Sequence, residues 1–256
     1  MKEEFGSVSL SLSLSLLVLG ALAGCGGGGD DSGGAPLASA ASAQGLWNGT
    51  TSTNRTVAGL VLSDGTYYVF YSSVGNPTLV AGVVQGSGTS SVGTFSSSNA
   101  RDFNLEGSGV LPATIASSFV AKQSFGGTIG YSATSNTTFT STYDAAYEIV
   151  PSLAIVAGTF TGQVASSAGT QSSSFTVSAN GAVSGASSGC ATTGTVSPRS
   201  DGNAYDVSLT FGPSPCLFAS QTLTGMAYFN ATTKRLYAFT PNAARSDGLI
   251  FAGSKL

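Results

Sequence analysis

The sequence of 256 residues contains no histidine. This absence excludes the Ser-His-Asp and Cys-His nucleophile systems, and it removes the ligand that zinc sites use most often. The sequence also has neither a phosphate-cradling loop nor a dinucleotide fingerprint. We therefore expect no catalytic residue, no metal ion and no cofactor, and we expect that the protein is not an enzyme.

Charged side chains are scarce as well, at 8% of the chain against about a quarter in ordinary globular proteins. Only nine residues are Lys or Arg, and no basic cluster is larger than Lys234-Arg235. Nucleic-acid binding needs a basic face, so we expect no nucleic-acid partner. Gly, Ser and Thr fill the polar positions instead, which is typical of a β-rich protein outside the cytoplasm.

Cysteine occurs only three times, and the first cysteine follows an apolar run near the N-terminus. This run, from about Val8 to Ala21, is shorter than the roughly 20 residues of a membrane span. It leads into Leu22-Ala23-Gly24-Cys25, which resembles the signal of a bacterial lipoprotein. The resemblance implies that residues 1–24 are a removed signal peptide and that Cys25 carries a diacylglycerol and an acyl chain such as palmitate. The Ser-Leu alternation of residues 9–14 also fits a strand, and this alternative stays open.

Residues 25–44 link the predicted lipid to the folded part of the chain. They are rich in Gly, Ser and Ala without hydrophobic periodicity, which indicates a flexible tether with an excursion of roughly 25 Å. Cys25 is followed by Gly26 and not by an aspartate, and in this respect the sequence resembles lipoproteins that are exported to the outer membrane. We therefore expect a lipid-anchored protein of the outer membrane, on its periplasmic or its cell-surface face.

The two remaining cysteines, Cys190 and Cys216, have no part in the lipidation signal. An oxidising compartment outside the cytoplasm permits them to form a disulfide. Such a bond would close a loop of about 25 residues and stabilise the fold by about 3 kcal/mol in the chain-entropy model. The alternative is a pair of free buried thiols.

Hydrophobic residues in the rest of the chain alternate as in β-strands, and long helical periodicity is absent. Residues 205–211 alternate cleanly, with Tyr205, Val207, Leu209 and Phe211 on one face. Turn signals such as Asp64-Gly65 and Asn180-Gly181 separate the segments. This pattern predicts an all-β protein.

Three segments recur in the same order in the two halves of the chain. The paired segments are residues 45–49 with 158–162, 60–65 with 175–181, and 123–129 with 221–227. The first pair has the form Gly-x-aromatic-x-Gly, in which the aromatic ring would plug a barrel and the glycines would let the strand bend. The order indicates a duplicated unit of about 100 residues.

We predict two tandem antiparallel up-and-down β-barrels of about eight strands each. The first unit spans residues 45–150, and the second spans residues 151–256 and contains the disulfide. Closure into barrels also removes exposed strand edges. The alternative is a single long β-sandwich or β-roll across both halves.

This organisation resembles bacterial surface lipoproteins of the transferrin-binding-protein and factor-H-binding-protein type. They combine a lipidated cysteine, a Gly-rich tether and small barrels that open with Gly-x-aromatic-x-Gly. The C-terminal half is similar to uncharacterised proteobacterial lipoproteins in its segments Gly189-Cys190, 194–199, 205–207, Pro215-Cys216 and 245–248. The long charged loops of a host-protein receptor are absent, so no specific ligand carries over.

Several aromatic side chains are spaced so that they could line a barrel mouth and contact a sugar or an apolar ligand. We predict this role for Trp47, Tyr67, Tyr71, Tyr228 and Tyr237; the alternative is ordinary core packing. The function expected is therefore a non-catalytic binding module, anchored to the membrane by lipid, for a protein or glycan partner or a small ligand.

Two other functions stay open. One is a structural or envelope-assembly lipoprotein without a small ligand, which predicts packed barrels and a broad contact between them. The other is a hydrolase with two converging carboxylates. The carboxylates outside predicted turns are Asp102, Glu106, Asp144, Glu148 and Asp206. Arg101 with Asp102, and Arg245 with Asp247, are expected to form local ion pairs or turn contacts.

Overall fold

The computed structural model describes residues 41–256, and their regular secondary structure is almost entirely antiparallel β-strand. The predicted signal peptide, the predicted lipidation site Cys25 and most of the predicted tether lie outside the described residues. No helix within residues 41–256 is long and apolar enough to cross a membrane.

The first barrel begins at Gly45 and is an antiparallel meander in which, apart from the short β5, each strand pairs with the next. Its strands are β1 (Gly45–Thr51), β2 (Thr56–Val61), β3 (Thr66–Ser73), β4 (Asn76–Ser87), β5 (Thr89–Ser91), β6 (Thr94–Asn104), β7 (Gly109–Val120), β8 (Ser124–Gly130) and β9 (Asn136–Tyr143). β1 pairs with β9, and β4 pairs with β6. Eight strands therefore close the ring, while the short β5 pairs only with β6.

The second barrel is a closed ring of eight strands in sequence order. Its strands are β10 (Gly158–Ser166), β11 (Gly169–Val177), β12 (Ala182–Ser187), β13 (Cys190–Pro198), β14 (Tyr205–Phe211), β15 (Thr222–Asn230), β16 (Arg235–Pro241) and β17 (Gly248–Lys255). The predicted fold class, two small closed antiparallel barrels, is confirmed; the single sandwich or roll is not found.

A short connection joins the two barrels. It contains one 3-10 turn (Ala145–Glu148) and one helical turn, α1 (Leu153–Val156). Asp144 and Ser152 cap the two turns by accepting hydrogen bonds from the Ala146 and Ile155 amides. The predicted boundary between residues 150 and 151 falls within this connection.

The Gly-x-aromatic-x-Gly motif forms the first strand of each barrel. Trp47 and Phe160 point into the two barrel interiors, where they are 2% and 0% exposed. A Cβ atom on Gly49 would lie 2.0 Å from the Thr140 carbonyl oxygen of the last strand, so the close approach of the two strands requires glycine. Gly162 has the same relation to β17. The motif therefore allows each barrel to close.

The recurring segments are only partly equivalent in the structure. Residues 60–65 and 175–181 both lie at the end of the second strand and the following turn. Residues 123–129, however, lie on β8, the seventh strand of the first ring, whereas residues 221–227 lie on β15, the sixth strand of the second. The third pairing was therefore wrong by one strand.

The outer faces of the two barrels share a hydrophobic core. This shared core joins side chains of both barrels, among them Leu60, Tyr68, Phe70, Phe103, Met226, Tyr228, Phe239 and Ile250. The Phe103 and Phe239 rings lie 4.6 Å apart, and Phe70 and Tyr237 lie 5.4 Å apart. β3 is consequently buried on both faces, because Tyr67 and Tyr71 point into the first barrel while Tyr68 and Phe70 point toward the second.

Candidate functional site

One end of the first barrel opens into a cavity of about 280 Å³. The loops β1–β2, β3–β4, β6–β7 and β8–β9 surround this end, opposite the end at which the chain enters β1. The cavity walls are aliphatic and comprise Val57, Val69, Val84, Leu111 and Ile129. The polar lining includes Arg55, Tyr71, Asp102, Asn104 and Tyr131. We call this space the mouth cavity.

Asp102 is the charged group held deepest in the mouth cavity, and only 3% of its surface is exposed. A break in the pairing of β6 with β7, between Ser97 and Ala100, turns it inward. Before this bulge the inward residues of β6 include Phe95 and Ser97, and after it they are Ala100 and Asp102. A bulge inverts the alternation of faces, so it places a carboxylate in the barrel and directs Phe103 outward.

Two tyrosine hydroxyls hold the Asp102 carboxylate. The Tyr71 hydroxyl donates to one oxygen at 2.7 Å, and the Tyr131 hydroxyl donates to the other at 2.8 Å. Asn104 Nδ2 in turn donates to the Tyr71 hydroxyl oxygen at 3.2 Å. The network fixes both rings and leaves each carboxylate oxygen with a further lone pair.

Burial raises the pKa of Asp102, and the hydrogen bonds from Tyr71 and Tyr131 partly oppose this rise. Burial also raises the pKa of both tyrosines, and the neighbouring Asp102 charge raises it further. Both hydroxyls therefore stay protonated at neutral pH and continue to donate to the carboxylate.

Arg55 lies at the edge of the mouth cavity beside this network. Its guanidinium lies 5.5 Å from the centre of the Tyr71 ring and donates to the Ser72 carbonyl oxygen at 2.9 Å. It also pairs with Glu106 at 2.6 Å, and this hydrogen bond lowers the pKa of Glu106. Glu106 neutralises the charge of Arg55. Arg55, Glu106 and Asp102 together therefore carry a net negative charge when Asp102 is ionised.

Only one of the five predicted aromatics, Tyr71, lines the mouth cavity. Trp47 and Tyr67 lie deeper in the same barrel, around an apolar space of about 30 Å³. The Tyr67 hydroxyl donates to the Ser97 hydroxyl at 2.9 Å, and the Trp47 indole donates to the Ala43 carbonyl at 2.9 Å. These two side chains form part of the barrel core.

Tyr228 and Tyr237 were predicted wrongly as residues of a barrel mouth. Both belong to the shared core between the barrels, where Tyr228 is 5% exposed and Tyr237 packs on Phe70. Their strands, β15 and β16, turn these side chains outward, and the first barrel covers them. The sequence analysis recognised neither their outward face nor the barrel that covers it.

The second barrel also opens into a cavity, of about 320 Å³, and its lining carries no charged side chain. Val164, Phe175, Phe211 and Phe218 are among its apolar residues, and Ser and Thr hydroxyls and Gln171 are among its polar ones. The predicted disulfide between Cys190 and Cys216 is present at this end. It ties the loop between β14 and β15 to the start of β13.

The expected local ion pairs were wrong. Asp102 bonds to the two tyrosines rather than to Arg101, which lies on the other face of β6. Arg245 donates to the Gln85 side chain and carbonyl of the first barrel, at 3.0 and 2.7 Å. Asp247 instead accepts a hydrogen bond from the Ser167 amide at 3.0 Å.

The five carboxylates considered for a hydrolase do not meet in one cleft of the described chain. Asp102 alone lines the mouth cavity, and Glu106 bonds to Arg55. Asp144 caps the 3-10 turn, Glu148 pairs with Lys122 and Asp206 pairs with Arg199. Within residues 41–256 there is also no group of three acidic or Cys side chains that could hold a metal ion.

No protein-family model and no curated protein sequence matches this chain. Among solved structures, a crystal structure of a "putative outer membrane protein" from Bacteroides fragilis is similar at 13% sequence identity. The match covers 83% of this chain and 96% of the other, with a TM-score of 0.26. A score this low assigns neither a fold nor a function to this chain.

Proposed function

We propose that this protein is a lipid-anchored, non-catalytic binding module of the bacterial outer membrane. The lipidation signal at Cys25 and the Gly-rich tether predicted after it, which ends before the buried Ala43, support the anchor and the location. The mouth cavity supports the binding function, and its chemistry favours a small ligand rich in hydrogen-bond donors, such as a terminal sugar of a glycan.

The observation that carries this proposal is the buried Asp102 carboxylate in the wall of an open cavity. Burying a carboxylate costs free energy, and an apolar residue of similar volume would often stabilise the fold better. Perturbed ionisable groups that converge in an apolar pocket are common features of binding sites. Asp102, Tyr71 and Tyr131 meet this description.

The geometry suggests how a sugar would bind. Ligand hydroxyls would donate to the free lone pairs of Asp102 and to the tyrosine oxygens, which already donate their own protons. The aliphatic walls would contact the apolar edges of the ring. A volume of about 280 Å³ is at the lower limit for small-molecule sites, so it would admit one sugar residue rather than a longer chain.

No catalytic step is part of this proposal. Both Asp102 oxygens accept hydrogen bonds from tyrosines, and Arg55 holds Glu106. A glycosidase needs one carboxyl group to protonate the leaving group and a second to act as base or nucleophile. We therefore expect that a bound glycan is recovered without cleavage.

The binding site can be tested on a glycan array, followed by titration calorimetry with the sugars that bind. Asp102→Asn and Tyr131→Phe should each lower the affinity about tenfold or more, since a hydrogen bond to a charged group contributes about 1.5–3 kcal/mol. Tyr67→Phe is the matched control, because its hydroxyl lies deeper in the same barrel and should not affect binding. Absence of glycan binding, or equal losses in all three variants, would refute the site.

The anchor can be tested separately by cell fractionation and mass spectrometry. The wild-type chain should carry lipid on Cys25 and sediment with outer membranes, whereas Cys25→Ala should be soluble. Protease treatment of intact cells then distinguishes the two faces of the membrane. A soluble wild-type chain without lipid would overturn the location but not the sugar site.

A structural or envelope-assembly role is the second candidate. The broad shared core between the barrels is the feature that favours it. This role provides no reason for a buried carboxylate in an open cavity, so we rank it second. It predicts that Asp102→Asn has no effect on any binding measurement.

A further inference from the structure

We propose that the end of the first barrel where the chain enters β1 lies against the lipid surface, with the mouth cavity facing away from it. This inference rests on the lipid anchor of the proposed function. It adds an orientation and a membrane-contacting surface formed by named residues.

Four exposed apolar side chains lie at this entry end, and we call them the entry-end patch: Val92, Val120, Ile149 and Val150. Their exposed fractions are 95%, 51%, 44% and 79%. Only eight large apolar side chains are exposed within residues 41–256, so half of them lie at this end. Such groupings mark surfaces that contact a protein or a membrane.

The segments that carry the patch adjoin one another at the end of the barrel. Phe119 and Gly93 are the chain neighbours of Val120 and Val92. The Phe119 amide donates a hydrogen bond to the Gly93 carbonyl oxygen at 2.7 Å. Lys122 follows on the same turn and pairs with Glu148, next to Ile149, at 2.7 Å. These contacts connect the β5–β6 turn, the β7–β8 turn and the segment after β9.

The position at which the described chain starts supports lipid as the partner of this patch. Ser42 lines a surface cleft together with Lys122, Ile149 and Val150. The next residue, Ala43, is fully buried, and its amide donates to the Ser90 hydroxyl on β5 at 3.0 Å. The chain therefore leaves the barrel beside the patch.

The distance from the patch to the predicted lipid is limited by the chain itself. Cys25 lies sixteen positions before Ala41, and sixteen residues span at most about 55 Å when fully extended. Gly/Ser-rich sequences of this length average about 20–25 Å. A membrane anchored at Cys25 is therefore within reach of the entry end.

Val92 gives independent support. The β5–β6 hairpin has two central residues, Val92 and Gly93, with φ of 45° and 78°. Both positive values are typical of a type I′ turn, which favours Asn-Gly, and a β-branched residue is strained there. In water, nothing offsets the backbone strain of the exposed Val92. At a lipid surface, the Val92 side chain would be buried among apolar groups.

The test uses the lipidated full-length chain with single cysteine substitutions. Cys25 carries lipid and the other two cysteines form the disulfide, so an added cysteine is the only free thiol. An environment-sensitive fluorophore is attached to the Val92→Cys variant and, as the matched control, to Val74→Cys. Val74 is 58% exposed in the β3–β4 turn at the mouth end.

Both labelled proteins are bound to vesicles of phosphatidylethanolamine and phosphatidylglycerol that contain a nitroxide-labelled lipid. We expect several-fold stronger quenching at position 92 than at position 74. Equal quenching in protein that mass spectrometry shows to be lipidated would overturn the orientation alone. Absence of lipid on Cys25 would overturn the anchor as well. Cross-linking of the position-92 probe to an envelope protein, with no lipid quenching, would assign the patch to a protein partner and refute the lipid contact.

Discussion

Removal of the Phe239 ring should destabilise the first barrel, although Phe239 belongs to the second. Phe239 is fully buried on the outer face of β16, where it contacts Phe103 and Tyr68 of the first barrel. Replacing a buried Phe with Ala costs about 3–5 kcal/mol. If the shared core makes the two barrels one cooperative unit, this loss applies to the unfolding of both.

The single tryptophan makes the prediction measurable. Trp47 lies inside the first barrel, so its fluorescence reports the unfolding of that barrel alone. In urea, Phe239→Ala should move the Trp47 transition and the circular dichroism transition together. With a slope of about 2 kcal/mol per molar urea, the midpoint should fall by about 1.5–2.5 M.

Phe160→Ala is the matched control, since Phe160 is equally buried but lies in the interior of the second barrel. Cooperative unfolding predicts that it shifts the Trp47 transition by a similar amount. A double-mutant cycle of Phe103 and Phe239 should give a coupling of about 1–1.5 kcal/mol, as expected for an aromatic pair in contact. An unmoved Trp47 transition with a split circular dichroism curve would refute the reasoning.

Four further predictions concern stability. Replacing Cys190 and Cys216 by Ser should lower the unfolding free energy by about 3.5 kcal/mol, because the bond closes a loop with a separation of 26 residues; an unchanged urea midpoint would contradict this. Burial raises the pKa of Asp102, so the native state binds the proton more tightly, and Asp102 destabilises the fold as the pH rises above about 4. The unfolding free energy of Asp102→Asn should therefore exceed that of wild type by an amount that grows with pH above about 4 and becomes constant once Asp102 is ionised. A difference that is the same at every pH would refute the assignment. Thr240→Val should stabilise by about 1 kcal/mol or more, because the buried Thr240 hydroxyl has no hydrogen-bond partner in the described chain. Val92→Asn should raise the melting temperature, with a gain of about 1 kcal/mol from the favoured turn; a lower melting temperature would show that Val92 is not strained.

The sequence predicted the features that local patterns determine. Alternation and turn residues indicated strands, and the Gly-x-aromatic-x-Gly motif marked the first strand of each barrel. Cys190 and Cys216 were paired correctly because the lipidation signal accounted for the third cysteine. These features were predictable because each signal lies within a short segment or, for the disulfide, in the small number of cysteines.

The mouth cavity could not be predicted in the same way. The bulge between Ser97 and Ala100 carries no strong signal in a segment rich in Ser and Asn, yet it decides that Asp102 rather than Phe103 points inward. The contacts of Asp102 with Tyr71 and Tyr131 join residues about 30 positions apart. Only closure of the barrel brings these side chains together.

A contact between the barrels was expected for a structural role, but the residues that form the shared core were not predicted, for a different reason. Alternation distinguishes the two faces of a strand, but it does not say whether the outer face meets water or another barrel. On β3, the run Tyr67-Tyr68-Val69-Phe70-Tyr71 is apolar on both faces. This run was the available sign that β3 lies between two cores.

The pairing of β1 has a mechanical consequence. The chain enters β1 at Gly45, and β1 pairs with β2 on one side and with β9 on the other. A pull between the chain's entry point and a ligand held at the opposite end would act along the strands. Antiparallel hydrogen bonds lie perpendicular to the strands, so such a force would load them in shear, all at once rather than one after another. The first barrel would therefore resist such a pull through both neighbours of β1 at the same time.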